Sequence, residues 1–218
     1  LLHYMIVGFV FSHTMRLSIP NYLAYMFFGA VFYNLISTCI LRAPAIFLNN
    51  EHFIKKIYIP KLVFVLDVVV MEFVNFILAL IVLLGMALLL GRYTPSVHIV
   101  AIVPLIVFIL GFATGISCIL GVTGVYFRDM AHIIPAIMQA FFFLTPVLYS
   151  ADSMPALYQK LIHLNPFYYF VEAFRAPIVY NQWPVWEHFA ACGGIGIFCL
   201  VLGIVILKGY DNKLVFRL

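Results

Sequence analysis

Ionisable side chains are so sparse in this chain that each one set inside an apolar run is a candidate for chemistry. Glu72 lies within the run Leu62 to Leu90, with Asp67 five residues before it and Asn75 three after. A carboxylate at the centre of a bilayer costs ~2.5–3.5 kcal/mol on insertion scales, so it must face protein or water. Asp67, six residues past Lys61, is expected nearer the interface. A proton relay needs more than one deep ionisable group, which leaves packing or pore lining as the expected role of Glu72. Glu172 and Arg175 are three apart and can pair on one helix face. Arg128-Asp129 is wedged between two apolar runs, and His132 just beyond it is read as structural. Cys39, Cys118, Cys192 and Cys199 lie in apolar runs without a His or acid at ligand spacing. They read as small core residues, not as a metal or redox site. The chain lacks G-x-x-x-x-G-K-[S/T], H-E-x-x-H, G-x-S-x-G and C-x-x-C. It is therefore expected to be no enzyme, with no metal and no cofactor of its own.

The elements that must position these residues follow from composition. Of 218 residues, 66% are hydrophobic and 9% charged, and the mean hydropathy is +1.13. Soluble domains average about 45–50% apolar and about 25% charged. The fold class expected is an all-α polytopic membrane protein forming one transmembrane domain over residues 1–218. The apolar runs are continuous and do not alternate as barrel strands do. The first, Leu1 to Ser12, is too short for a ~30 Å core and is expected to be the outer half of a span. Five more spans are expected: Tyr22 to Leu41, Leu62 to Leu90, Val97 to Tyr126, Ile133 to Tyr149, and Glu187 to Leu207. With both termini inside, Arg42, Lys55, Lys56, Lys61, Arg128, Lys208, Lys213 and Arg217 are cytoplasmic, against Arg16, Arg92, Lys160 and Arg175 outside. The positive-inside rule favours that orientation. Trp183 and Trp186 fit an interfacial belt.

Two connections are longer than turns. From Asn49 to Lys61 the sequence reads as a short amphipathic helix. Asn49 or Asn50 can cap it, Glu51 and Lys55 sit at i, i+4, Phe53, Ile54 and Ile57 form its apolar face, and Pro60 ends it. It could lie among headgroups or dock a cytoplasmic partner. The external segment 150–186 holds two short helices, Pro155 to Leu164 and Pro166 to Val179, read as re-entrant or interfacial. Phe167, Tyr168, Tyr169 and Phe170, with Phe174, suit either an aromatic interface belt with a Glu172–Arg175 pair or an external gate offering flat faces to sugar rings.

Four segments together resemble the permease subunits of type-two ABC exporters, in the polysaccharide-export branch. They are Asn50-Glu51-His52-Phe53-Ile54-Lys55-Lys56-Ile57-Tyr58-Ile59-Pro60, Val125-Tyr126-Phe127-Arg128-Asp129-Met130, Phe143-Leu144-Thr145-Pro146-Val147-Leu148-Tyr149 and Leu164-Asn165-Pro166-Phe167. Tyr-Phe-Arg-Asp and Thr-Pro-x-x-Tyr are specific in combination and weak singly. The resemblance implies a homodimer of six-span subunits in a bacterial inner membrane, with two cytoplasmic ATPase subunits that carry the ATP and Mg. The substrate implied is a lipid-linked glycan such as O-antigen, capsular polysaccharide or teichoic acid. Surrounding lipid is the other partner, and nothing points to nucleic acid. ATPase docking maps to Glu51, His52, Phe53, Ile54, Lys55 and Lys56, in a coupling helix over 49–61. A cytoplasmic turn maps to Arg128 and Asp129. Gate or pore candidates are Phe142, Tyr149, Phe167, Tyr168, Tyr169, Phe170, Glu172 and Arg175. The rival readings are a type-two ABC exporter of a drug or lipid, and an ion-coupled secondary transporter using Glu72, which would require internal repeats not evident here.

Overall fold

Long runs of Leu, Val, Ile and Phe fold as helices in a membrane because each backbone N–H and C=O must be met within its own segment. The computed structural model describes residues 22–57, 59–89 and 96–217. The half-span expected at Leu1 to Ser12 lies outside these. Among the described residues every regular element is helical. In order they are α1 (Tyr22–Arg42), α2 (Ile46–Asn49), α3 (Glu51–Lys56), α4 (Leu62–Leu89), α5 (Ile102–Tyr126), α6 (Met130–Leu144), α7 (Ala156–Leu164), α8 (Pro166–Val179) and α9 (Trp186–Arg217), with short 3₁₀ turns between some of them.

Four of the described segments are long and apolar enough to cross a membrane: Ala24–Asn49, Leu62–Leu88, Val97–Tyr126 and Trp186–Asp211. The span expected at Ile133 to Tyr149 is shorter than that. Its helix, α6, has 15 residues, about 22 Å at ~1.5 Å per residue, against a hydrocarbon core of ~30 Å. It ends because Thr145 turns to extended backbone and Pro146 cannot continue a helix.

The tightest pairing is α5 against α9, and small residues set it. A Cβ on Gly115 would overlap the Cys199 carbonyl oxygen, and one on Gly203 would overlap the Gly115 carbonyl. Backbones this close gain van der Waals contact that larger side chains forbid in lipid. At one end Lys61, buried at the start of α4, donates to Asp211 of α9 at 2.6 Å. That ion pair ties two spans 150 residues apart. Packed on α1, α9 and α5 lies α8, with Phe167, Phe170 and Phe174 all buried. Phe167 makes edge contacts with Tyr33, Phe112 and Phe141, and Phe174 stacks on Phe32 with centroids 3.6 Å apart. Edge contacts like those of Phe167 stabilise by about 0.5–1.5 kcal/mol each beyond area burial.

Candidate functional site

Three places gather the polar groups of the bundle. The first is the turn after α6. Thr145 Oγ1 donates to the Phe141 carbonyl at 2.7 Å and accepts from Asn165 Nδ2 at 2.8 Å. Asn165 Oδ1 in turn accepts from the Phe167 N–H at 3.0 Å, capping α8, whose first residue is Pro166. Tyr149 Oη reaches back to the Phe143 carbonyl at 2.8 Å. Pro146 and its followers leave four consecutive carbonyls without helix partners, and each is met from elsewhere. Arg175 Nη1 donates to Pro146 O at 2.6 Å, and Nη2 to Val147 O at 2.8 Å. Tyr22 Oη donates to Leu148 O at 2.8 Å, and Tyr25 Oη to Tyr149 O at 2.9 Å. Arg175 is fully buried. Its Nη1 also binds Glu172 Oε1 at 2.7 Å, and its Cζ stands 3.6 Å over the Tyr25 ring. A Cβ on Gly29 would occupy the space of Nη2, so α1 has a glycine where the guanidinium enters.

The Glu172–Arg175 pair expected from the spacing is therefore present, and it carries more than an i, i+3 contact. A hydrogen bond to a charged group contributes about 1.5–3 kcal/mol. Of the other ring candidates, Phe167, Phe170 and Tyr168 are buried, while Phe142, Tyr149 and Tyr169 are half-buried. Tyr168 sits among His163, Tyr169 and His188 at centroid distances of 5.0–5.3 Å. Phe167, Phe170 and Phe174 thus point into the bundle and hold α8 in place. The rings of α8 do not form one flat face within this chain.

The second place is the connection from α1 to α4. The helix expected over Asn49 to Lys61 is only α3, Glu51–Lys56, because Ile57 is already extended. Asn50 stands at its N-cap position but does not cap it; its Nδ2 donates backwards to the Ile46 carbonyl at 2.8 Å, closing α2 instead. Lys55 Nζ meets Glu51 Oε1 at 2.5 Å. That hydrogen bond, aided weakly by the charges of His52 and Arg128, holds the Glu51 carboxyl below the ordinary carboxylate range. Ile54 is buried, whereas His52, Phe53, Lys55, Lys56 and Ile57 are exposed. The preceding segment is keyed into α5: a Cβ on Gly124 would overlap Pro44 O, and one on Gly121 would lie 2.9 Å from the Phe47 ring. Arg128 and Asp129 form the exposed turn between α5 and α6 at this same end.

The third place is between α1 and α4. Glu72 is buried, with Oε1 3.1 Å from Arg42 Nε and Oε2 accepting from Asn75 Nδ2 at 3.3 Å. Asp67 is exposed, one and a half turns nearer the start of α4. Among the described residues no three His, Cys, Asp or Glu side chains converge as metal ligands.

The family model described as ABC-2 type transporter matches residues 1–179. This chain belongs to the ABC-2 type transporter family. It is 29% identical over 220 residues to an O-antigen export system permease protein RfbA of Klebsiella pneumoniae, covering 100% of this chain and 82% of the relative. A second Klebsiella pneumoniae protein of that name is 27% identical over the same shares of both chains. The Myxococcus xanthus protein of that name is 26% identical over 201 residues, 91% of this chain and 77% of its own.

Two features of this ABC-2 chain escaped the sequence reading. Gly111-x-x-x-Gly115 is a visible small-residue spacing that marks a close helix pair, and it would have paired α5 with another span. Gly29 carried no signal at all, since nothing local shows that an arginine 146 residues later needs its space.

Proposed function

We propose that this chain is the transmembrane permease subunit of an ATP-driven exporter of lipid-linked polysaccharide. It works as a homodimer with two cytoplasmic ATPase subunits, which bind the ATP and Mg, in a bacterial inner membrane. The substrate class rests on likeness to O-antigen export permeases across 91–100% of the chain. In this reading each subunit has six spans, among them the four long segments and α6 with its Thr145–Tyr149 turn. In this orientation α7 and α8 dip back from the outer face, and both termini are cytoplasmic.

The observation that supports ATP coupling is the geometry of α3. A helix anchored through Ile54 alone, with Phe53, Lys55 and Lys56 turned outward, offers an apolar knob ringed by positive charge. Behind it, Pro44 and Phe47 seat in the glycines of α5, so a push on α3 is delivered to a long helix through packed contacts. ATP binding on the partner moves α3, α5 follows, and the path at the dimer interface opens. Phe142, Tyr149, Tyr168 and Tyr169 stand closest to its outer mouth. Glu172 and Arg175 hold the turn beneath it.

Replacing Phe53, Lys55 and Lys56 together by alanine is expected to leave the permease folded, because all three are exposed. Export in inside-out vesicles should fall at least about a hundredfold, the scale of losing an apolar anchor and its flanking charges from an interface. Co-purification of the ATPase measures the docking directly. Undiminished export by the triple variant would refute the docking role.

A further inference from the structure

Between α1 and α4 a cavity of about 100 Å³ opens on the side of the bundle, lined by Asn34, Thr38, Glu72, Asn75 and Phe76 among others. Glu72 is ten residues into α4, about 15 Å along the helix axis. Asn34 is likewise mid-way along α1. Both asparagines are exposed on the surface of the single chain, in the middle of segments that cross the membrane. Amides and a carboxylate at that depth do not face hydrocarbon; they face a second protein surface or water.

The groups in the cavity are incompletely used. Glu72 Oε1 is buried and lacks a hydrogen-bond donor. Arg42 Nε, 3.1 Å away, neutralises it as an ion pair without hydrogen-bond alignment. Glu72 Oε2 has only the 3.3 Å contact with Asn75. Thr38 Oγ1 spends its proton on the Asn34 carbonyl at 2.7 Å, which leaves its lone pairs open. The lining therefore offers acceptors from Glu72 and Thr38, donors and acceptors from two amides, and one ring, Phe76, at the back. With Arg42 opposite Glu72 its net charge is near zero. A cation gains little there; a neutral group rich in hydroxyls, each both donor and acceptor, matches every open position. A volume of about 100 Å³ is about two-thirds of the ~150 Å³ cavity that takes a benzene ring. That admits the hydroxylated edge of a sugar and not a whole ring.

We propose that this notch is a hydroxyl-binding subsite of the translocation path, where Glu72, Asn34, Asn75 and Thr38 hold the edge of a passing glycan. The inference rests on the proposed export of polysaccharide. It adds a polar foothold within the membrane, replacing water on the glycan's hydroxyls one edge at a time. The single-edge size keeps each hold weak enough to release.

The test uses inside-out vesicles bearing the whole permease, its ATPase and the host's lipid-linked glycan. Val31→Cys and Ala79→Cys, which line the notch but are not among the four side chains proposed to bind, are treated with a trimethylammonium-ethyl methanethiosulfonate. Val82→Cys serves as the apolar-facing control, and the unsubstituted chain reports on its native cysteines. The two notch cysteines should react and the control should not. Glycan stalled in the path by an inactive ATPase should slow their reaction about tenfold, as nine-tenths occupancy requires. Glu72→Gln, which keeps shape and removes the charge, should slow export about tenfold, the effect of one hydrogen bond to a charged group. Unreactive cysteines would overturn the proposal by showing the notch dry. Reactive cysteines that stalled glycan does not protect would overturn it by showing water without substrate. Failure of the underlying export reading shows separately, as unchanged surface glycan in a strain lacking the chain.

Discussion

Replacing Arg175 by leucine is expected to abolish export and to leave almost no folded permease in the membrane. Leucine fills part of the volume but leaves the Pro146 and Val147 carbonyls and the Glu172 carboxylate without their donors. Removing one partner of a buried ion pair costs about 3–5 kcal/mol, a large share of the ~5–15 kcal/mol that holds a typical domain. Arg175→Lys should be intermediate, since an ammonium cannot fork to two carbonyls while lying flat on the Tyr25 ring. Glu172→Gln should be the mildest of the three, because Glu172 is partly exposed and an amide still accepts from Nη1. Thermal unfolding followed by size-exclusion in detergent ranks them. The order Leu, Lys, Gln from worst to best is the expected result. If Arg175→Leu unfolds at the wild-type temperature, the guanidinium does not hold the turn.

The second large effect is expected at the α5–α9 seam. Gly115→Leu places a branched side chain against the Cys199 carbonyl, backbone that cannot rotate away. Overpacking a core costs about 1–3 kcal/mol when side chains can shift. Here whole helices must separate, so the loss should exceed that range, and Gly203→Leu should match it from the other side. Gly194→Ala and Gly209→Ala give the contrast, since an added Cβ there meets nothing within 4 Å. Both should be neutral or stabilising by up to ~1 kcal/mol, the gain in helix propensity. Folded yield of the four variants in one expression series checks the pattern. Equal yields from Gly115→Leu and Gly194→Ala would mean the seam is not a close contact.

Continuous apolar runs were enough to place the long segments, because a helix in lipid satisfies its own backbone and needs no partner to be recognised. The Glu172–Arg175 pair was legible for the same reason: both residues belong to one helix, and their spacing sets the contact. What Arg175 does beyond that was not legible. Its main partners are carbonyls 28 and 29 residues back, and carbonyl oxygens have no letter in a sequence. Thr-Pro-x-x-Tyr and Asn-Pro read as motifs, but only the fold shows that Asn165 bonds Thr145 and so joins the two turns. The aromatic run from Phe167 to Phe174 has one composition whether it faces sugar or core. The i, i+3, i+7 spacing puts Phe167, Phe170 and Phe174 on one helix face, and only the fold shows that this face fills the centre. Asn50 misled because its side chain can serve either neighbouring helix, and it closes α2 rather than opening α3.

Export of polysaccharide by this chain, at the expense of ATP hydrolysed by a partner, has a direct consequence in cells. The measurement is surface glycan and intracellular lipid-linked glycan in the same cells after deletion of the chain's coding sequence. The surface glycan should disappear while its lipid-linked form accumulates inside. Re-expression should restore both only when the partner ATPase can hydrolyse ATP. Normal surface glycan in the deletion strain, or restoration with a hydrolysis-dead ATPase, would refute ATP-driven export by this chain.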